Sequence, residues 1–338
     1  MKRKIFAVLV CLCLSLMAVG CSKDKAKEDT PTDAQVTQGA DDATKDDTAK
    51  EDAAKDNSAS GEKYKVYLIT MDQMDQHWVN VDAGCQKAVK ELGNIDYEWL
   101  APDVKDDAKQ IECINNAVAG GADAILLAAN GPDAVTSALE EANAEGVKII
   151  YVDSAADFPA IQTLATDNEA AGKTAGEEMI KGLQAAGISE GKIGIVNVNA
   201  ATASCVAREK GFRSAFDGTK FELLETQYGE GDAAKSKDIA ANYITLGCVG
   251  LFGANEGSTV GIGNAIQEVG DTIIGVGFDK SDTILQLIKD GFLLCTMAQN
   301  PDVMGYEGMK TAANALTGAD TGAESVDTGV SVINKDGL

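Results

Sequence analysis

From Tyr64 onward the chain alternates short apolar runs with longer stretches whose apolar positions recur at helical spacing. The runs occupy residues 66–70, 97–100, 124–128, 147–152, 193–198, 221–226, 249–252, 273–278 and 293–298. Strands that alternate with helices in this way predict a parallel sheet covered by helices on both faces. The clearest helical stretch, residues 169–183, places Ala171, Ala175, Met179 and Leu183 on one face, with Asp167 or Asn168 available as N-cap. Nine runs are too many for one small doubly wound domain. Only residues 161–166 break the alternation, following the run at 147–152 without a helix between, so a crossing between lobes is expected there. The fold class predicted is α/β, with two Rossmann-like parallel-sheet lobes and a cleft between them. Ligands in such sheets sit beyond the carboxyl ends of the strands, which makes the residues just after each strand the candidates.

The first 62 residues follow a different pattern. Met1-Lys2-Arg3-Lys4 precedes an apolar stretch from Ile5 to Val19, broken only by Ser15, and the chain turns polar directly after Gly20-Cys21. That is the pattern of a secretory signal, too short to remain as a spanning helix. Ala18-Val19-Gly20-Cys21 resembles the bacterial lipobox, with Ala18 where Leu is usual, which implies cleavage after residue 20 and a lipidated Cys21 that tethers the protein to the cell membrane. Residues 22–62 are almost entirely Lys, Asp, Glu, Ala, Thr and Ser, a composition that cannot offset the entropy of ordering, so residues 21–62 are expected to form a solvated acidic linker. The net charge of −24, from 53 acidic against 29 basic residues, disfavours nucleic acid, whose phosphates need Lys and Arg to neutralise them. Without Cys11, Cys13 and Cys21, the cysteines left are Cys85, Cys113, Cys205, Cys248 and Cys295, an odd number with no metal-ligand spacing. They are expected to act as small buried hydrophobes, with one fortuitous pair left open and neither metal nor cofactor implied.

Read in order, the segments after the strands are Asp75-Gln76-His77-Trp78, Asp153, Ala165-Thr166-Asp167-Asn168, Ala207-Arg208-Glu209-Lys210-Gly211-Phe212, Asn255-Glu256, Gly277-Phe278-Asp279 and Ala298-Gln299-Asn300-Pro301. This ordered set resembles the type I periplasmic binding proteins of the ribose/galactose class, and the likeness runs from about residue 64 to the C-terminus. The resemblance implies a three-strand hinge crossed near residues 165, 299 and 328. It implies one lobe from residues 63–165 plus 300–328 and another from 166–299 plus 329–338. It further implies that Asp153, Arg208, Asn255, Asp279 and Gln299 hydrogen-bond the hydroxyls of a sugar, for delivery to the membrane permease of an ABC transporter. A sugar hydroxyl is both donor and acceptor, which carboxylates, amides and a forked guanidinium satisfy together. Trp78 occupies an aromatic position that would cover the sugar's C–H face, and Phe278 is a candidate second wall.

The departures concern ligand identity. Ser154 stands where ribose-type members carry Arg, Asp75 matches an aspartate of the glucose/galactose type, His77 replaces an aromatic, and Gly231 lies near where a further ring would be. A site of Asp75, Asp153, Ser154 and Asp279 against Arg208 alone leaves an amino sugar or a cyclitol open beside a hexose. Plainer readings exist for single residues: a surface ion pair for Arg208, helix caps for Asn255 and Asp279, inter-lobe core for Trp78. An enzyme is not expected, because the single histidine, His77, has no nucleophile elbow to serve and no phosphate-binding glycine loop is present. A sensor that presents its closed form to a receptor remains the alternative to a transport component. The related sugar-responsive repressors are excluded, because their N-terminal DNA-binding helices are replaced here by the signal and linker.

Overall fold

The computed structural model describes residues 63–270 and 273–338; the expected signal, Cys21 and the linker lie outside them. The chain first builds β1 (Tyr64–Ile69), α1 (Gln76–Leu92), β2 (Ile95–Leu100), α2 (Asp107–Ala119), β3 (Ala124–Leu127), α3 (Thr136–Ala144), β4 (Lys148–Val152) and β5 (Gln162–Ala165). It continues through α4 (Asn168–Ala185), β6 (Gly191–Asn197), α5 (Ala203–Ala215), β7 (Phe221–Leu223), β8 (Gln227–Tyr228), α6 (Ala233–Thr245), β9 (Cys248–Gly253), α7 (Glu256–Val269), β10 (Ile274–Phe278), α8 (Asp282–Asp290) and β11 (Cys295–Gln299). It closes with α9 (Pro301–Thr317), β12 (Ser325–Asp327) and β13 (Val330–Asn334). Two sheets result: β12-β5-β4-β3-β1-β2 in one lobe and β13-β11-β10-β9-β6-β7, with β8 also on β6, in the other.

Within each sheet the apolar runs bury both faces, because successive side chains point to opposite sides. In β1, Val66 and Leu68 pack with Val81 and Cys85 of α1 and with Met304 and Met309 of α9. Tyr67 and Ile69 face Ile114 and Ala117 of α2 and Leu139 of α3. The second lobe repeats the arrangement, with α4 and α5 over one face and α6, α7 and α8 over the other. The face expected for α4 is buried, with Ala171, Ala175, Met179 and Leu183 all essentially inaccessible. Asp167 caps that helix by accepting from the Ala170 amide at 3.0 Å. Cys85, Cys205, Cys248 and Cys295 are buried, Cys113 is partly so, and none of the five is paired.

Gln162–Ala165 is β5, parallel to β4, and the chain leaves the sheet directly after it, so the crossing expected within residues 161–166 falls at their end. Two local expectations change. The run at 221–226 is interrupted after β7: the Leu224 amide still donates to the Ile193 carbonyl of β6 at 2.9 Å, but Arg213 Nη2 takes the Leu224 carbonyl at 3.2 Å and Thr226 Oγ1 at 2.7 Å before β8 begins. The second sheet is not wholly parallel, because β13 pairs antiparallel with β11. β11 ends at the crossing and β13 begins there, so without a crossover helix the two must run in opposite directions.

Three passages of chain lie together where the lobes join. The Thr328 amide donates to the Ala165 carbonyl at 2.9 Å, Thr166 Oγ1 donates to Gln299 Oε1 at 2.9 Å, and Asn300 Nδ2 donates to the Thr328 carbonyl at 2.8 Å. Each passage is thereby tied to another at the base of the cleft.

The close approach of α4 to α5 depends on glycine. A Cβ on Gly172 would lie 2.0 Å from the carbonyl oxygen of Arg208, and one on Gly211 would lie 1.9 Å from that of Glu169. Backbone cannot yield as a flexible side chain can. Gly172→Val is therefore expected to cost about 2 to 3 kcal/mol through overpacking. Urea unfolding of the variant should show a lowered midpoint at unchanged slope, and an unchanged midpoint would contradict this packing.

Candidate functional site

Every candidate side chain projects from the carboxyl end of a strand or from the helix that follows it. From the first lobe come Asp72, Asp75, His77 and Trp78 after β1, Lys105 after β2, and Asp153 and Ser154 after β4. From the second come Ser204 and Arg208 on α5, Asn255 and Glu256 at the start of α7, Asp279 after β10, and Gln299 at the end of β11. Asp153 and Asp279 share an unusual backbone, with φ of 62° and 74° directly after their strands. This left-handed region costs most residues of order 1 kcal/mol or more but suits Asp better than most, and it turns each carboxylate back over its sheet.

The lobes are closed on each other, and the charges in the cleft pair directly. His77 Nε2 lies 3.1 Å from Asp153 Oδ2 in its own lobe, and Nδ1 lies 3.5 Å from Asp279 Oδ1 in the other. Arg208 places Nη2 at 3.6 Å from Asp153 Oδ2, donates from Nε to Asn168 Oδ1 at 2.8 Å and from Nη1 to the Ala254 carbonyl at 3.0 Å. Gln299 Nε2 donates to Asp279 Oδ1 at 2.5 Å. Ser154 Oγ is 2.9 Å from Asp153 Oδ1 and 2.6 Å from Ser204 Oγ across the cleft. With one proton per hydroxyl, this chain runs from Ser204 to Ser154 to the carboxylate.

The electrostatic consequences follow from burial set against neighbours. For His77, burial favours the neutral ring, but the adjoining carboxylates of Asp153 and Asp279 outweigh it and raise the pKa. For Asp153, burial favours the acid, yet His77 beside it, with Arg208 behind, holds the carboxyl below its usual range. Glu256 has no such cation. Burial first, then the charges of Asp75 and Asp279, push it up to about 7, although its Oε2 accepts from the His77 amide at 3.0 Å.

Eight of the expected residues line one small cavity between the lobes: Asp75, His77, Trp78, Asp153, Arg208, Asn255, Asp279 and Gln299. Its volume is about 20 Å³, room for roughly one water molecule. Ser154 stands behind Asp153. Phe278 also stands back from the cavity: it is fully buried, and its ring carries the Arg208 guanidinium 4.4 Å above its centroid. Arg208 is only 2 % exposed, which rules out the surface ion pair. Ser281, not Asp279, caps the next helix, whereas Asn255 does cap α7 by accepting from the Ser258 amide at 3.1 Å. Trp78 belongs both to the first lobe's core and to the cavity wall, edge-on to His77 at 4.7 Å.

Arg208 is not the lone cation expected. Lys105 is almost fully buried, ion-paired with Asp72 and, at 2.8 Å, with Asp75, and it lines the same cavity. Burial would lower its pKa, but Asp75 and Asp72 outweigh that and raise it. Lys105 follows the strand at 97–100 and Glu256 follows Asn255, so the rule that singled out post-strand residues covered both. Neither carries a distinguishing motif.

A profile of the periplasmic binding protein domain matches residues 66–320. The chain belongs to this family. It resembles the ribose class of type I members: it is 28% identical over 266 residues to the ribose import binding protein of Haemophilus influenzae, covering 77% of this chain and 89% of the relative. A carbohydrate transporter solute-binding protein from Agrobacterium radiobacter, solved with D-arabinose, is 30% identical with a TM-score of 0.77, over 81% of this chain and 95% of that one. An ABC transporter solute-binding protein from Agrobacterium vitis, solved with D-fucose, is 28% identical with a TM-score of 0.77, over 80% and 96%. Such proteins bind solutes outside the cytoplasm, and this chain is likewise a binding protein rather than an enzyme.

Glu256 makes the closed form sensitive to pH. Its pKa of about 7 lies above the usual 4.5, so the folded, closed protein holds this proton more tightly than the unfolded chain does. The contribution is fully present below about pH 4.5 and is lost as pH rises through about 7. Glu256→Gln keeps a neutral acceptor for the His77 amide and removes the titration. Between pH 5 and 8 the wild type should lose about 1 to 3 kcal/mol of stability relative to this variant. Denaturant titrations at the two pH values measure it, and parallel pH profiles would show that Glu256 titrates normally.

Proposed function

We propose that this protein captures a monosaccharide or a closely similar polyol between its lobes and presents the closed, loaded form to the permease of an ABC-type importer, tethered outside the cell membrane by a lipid on Cys21. The observation that carries the reading is the convergence of Asp75, Asp153, Arg208, Asn255, Asp279 and Gln299 on one buried inter-lobe cavity. Three carboxylates, two amides and a guanidinium match a ligand whose hydroxyls each donate and accept. The sugars held by the two Agrobacterium proteins support the class of ligand. A cavity of about 20 Å³ admits no sugar as it stands. Binding therefore begins with the lobes apart, and the ligand enters between the two lobes' groups before they close on it. Only the closed form offers both lobes' groups, so ligand shifts the equilibrium toward closure.

A thermal-shift screen of pentoses, hexoses, amino sugars and cyclitols tests the ligand class: a ligand at 100 times its dissociation constant stabilises by about 2.7 kcal/mol. With the ligand found, Arg208→Ala or Asp279→Ala should weaken binding by about 2 to 4 kcal/mol in calorimetry, since the first leaves Asn168 Oδ1, and the second Gln299 Nε2, buried without a partner. Wild-type affinity in either variant would overturn the site.

The anchor has a separate test. Cells expressing the full chain and fed labelled palmitate should incorporate label into the wild type and not into Cys21→Ser, which would be released from the membrane fraction. Equal labelling of both would exclude Cys21 as the lipidated residue.

A further inference from the structure

Each carboxylate at the cavity already has a basic group beside it. Asp75 has Lys105 at 2.8 Å, Asp153 has His77 at 3.1 Å and Arg208 at 3.6 Å, and Asp279 has His77 at 3.5 Å. The donors are another matter. Among the described residues, His77 Nε2, Trp78 Nε1, Arg208 Nη2 and Asn255 Nδ2 are buried without a hydrogen-bond partner, and all four residues line this cavity. The Lys105 ammonium has three protons and two carboxylate partners, Asp72 and Asp75, which leaves one proton for whatever the cavity holds.

Lys105 is also fitted to the opposite lobe. It lies between β2 and α2 in the first lobe, and across the cleft it meets Gly231, between β8 and α6, whose φ is +73°. A Cβ at Gly231 would come within 2.7 Å of Lys105 Nζ and 2.8 Å of Cδ and Cε. The missing side chain on one lobe is what admits the lysine of the other, so closure seats the ammonium against this glycine and holds it at the cavity wall.

We infer that Lys105 is a specificity-determining residue of the ligand site: seated against Gly231, it gives the cavity a surplus of hydrogen-bond donors, so that neutral, acceptor-rich sugars are bound and their amino analogues are rejected. The inference rests on the sugar-binding reading. A hydroxyl or ring oxygen accepts from Lys105, Arg208, Asn255 and Trp78. An ammonium on the ligand accepts from none of them and must share Asp75 with Lys105, or Asp153 and Asp279 with His77, against like charge. The same arrangement predicts what loss of the lysine does: Asp72 and Asp75 are left without their cation, and a ligand ammonium can take its place.

The test is calorimetry of the full chain with D-glucose, D-galactose and D-ribose and with D-glucosamine and D-galactosamine, on the wild type, Lys105→Met and Lys105→Gln. The wild type should bind a neutral sugar at least about tenfold more tightly than any amino sugar. Lys105→Met should lose about tenfold or more for the neutral sugar and bind the amino sugars as well or better. Lys105→Gln keeps a neutral donor, so it should retain more affinity for the neutral sugar than Lys105→Met while discriminating less than the wild type. If the methionine variant fails to fold by circular dichroism, the glutamine variant decides alone. A wild type that prefers an amino sugar, or variants with wild-type affinity and selectivity, overturns the inference and leaves the sugar reading standing. A wild type that binds none of these compounds overturns the inference together with the sugar reading.

Discussion

Charge taken out of water between two lobes costs several kcal/mol per ion unless a partner of opposite sign and further hydrogen bonds compensate for it. In this protein Asp72, Asp75, Asp153 and Asp279 meet His77, Lys105 and Arg208 in a cleft where all are largely buried. His77 is the centre of that arrangement, because it touches a carboxylate of each lobe at once. The two carboxylates raise its pKa, and a protonated ring there offsets the repulsion between Asp153 and Asp279. The lobes close where these signs match.

The scaffold positions these groups through repetition. In each sheet an aspartate follows a strand directly with a positive φ, and the two carboxylates meet from opposite sides of the cleft. Arg208 is held from three directions, by Asn168 Oδ1, the Ala254 carbonyl and the Phe278 ring, before it reaches Asp153. A side chain fixed in this way loses little further freedom when a ligand arrives, which is how a preorganised site turns contacts into affinity. At the base of the cleft, the passages at Ala165, Gln299 and Thr328 are tied to one another, and the packed cores of the two sheets lie to either side of them.

The alternation of apolar runs and helical stretches made most of the strands of both lobes legible, because burial on two faces marks them as apolar runs. Where the expectation slipped, a side chain or a connection intervened. Arg213 takes the Leu224 carbonyl that would have continued one strand, and the return through the hinge makes β13 antiparallel. Eight of the expected site residues do meet at one cavity, since the strand-end rule depends only on topology. Phe278 was named for its position but serves beneath Arg208. Lys105 carries the pattern of any exposed loop lysine, and nothing in its neighbours in sequence marks it as buried.

By itself, the sequence determined that the chain is an α/β protein of two lobes and that its candidate site residues gather at the strand ends, because hydrophobic periodicity and strand-end positions are local properties of a chain. Only the tertiary structure decided which charges pair. Lys105 is brought to Gly231 and Glu256 to the His77 amide across separations of more than a hundred residues, and pairing over such distances is set by how two separately folded lobes face each other.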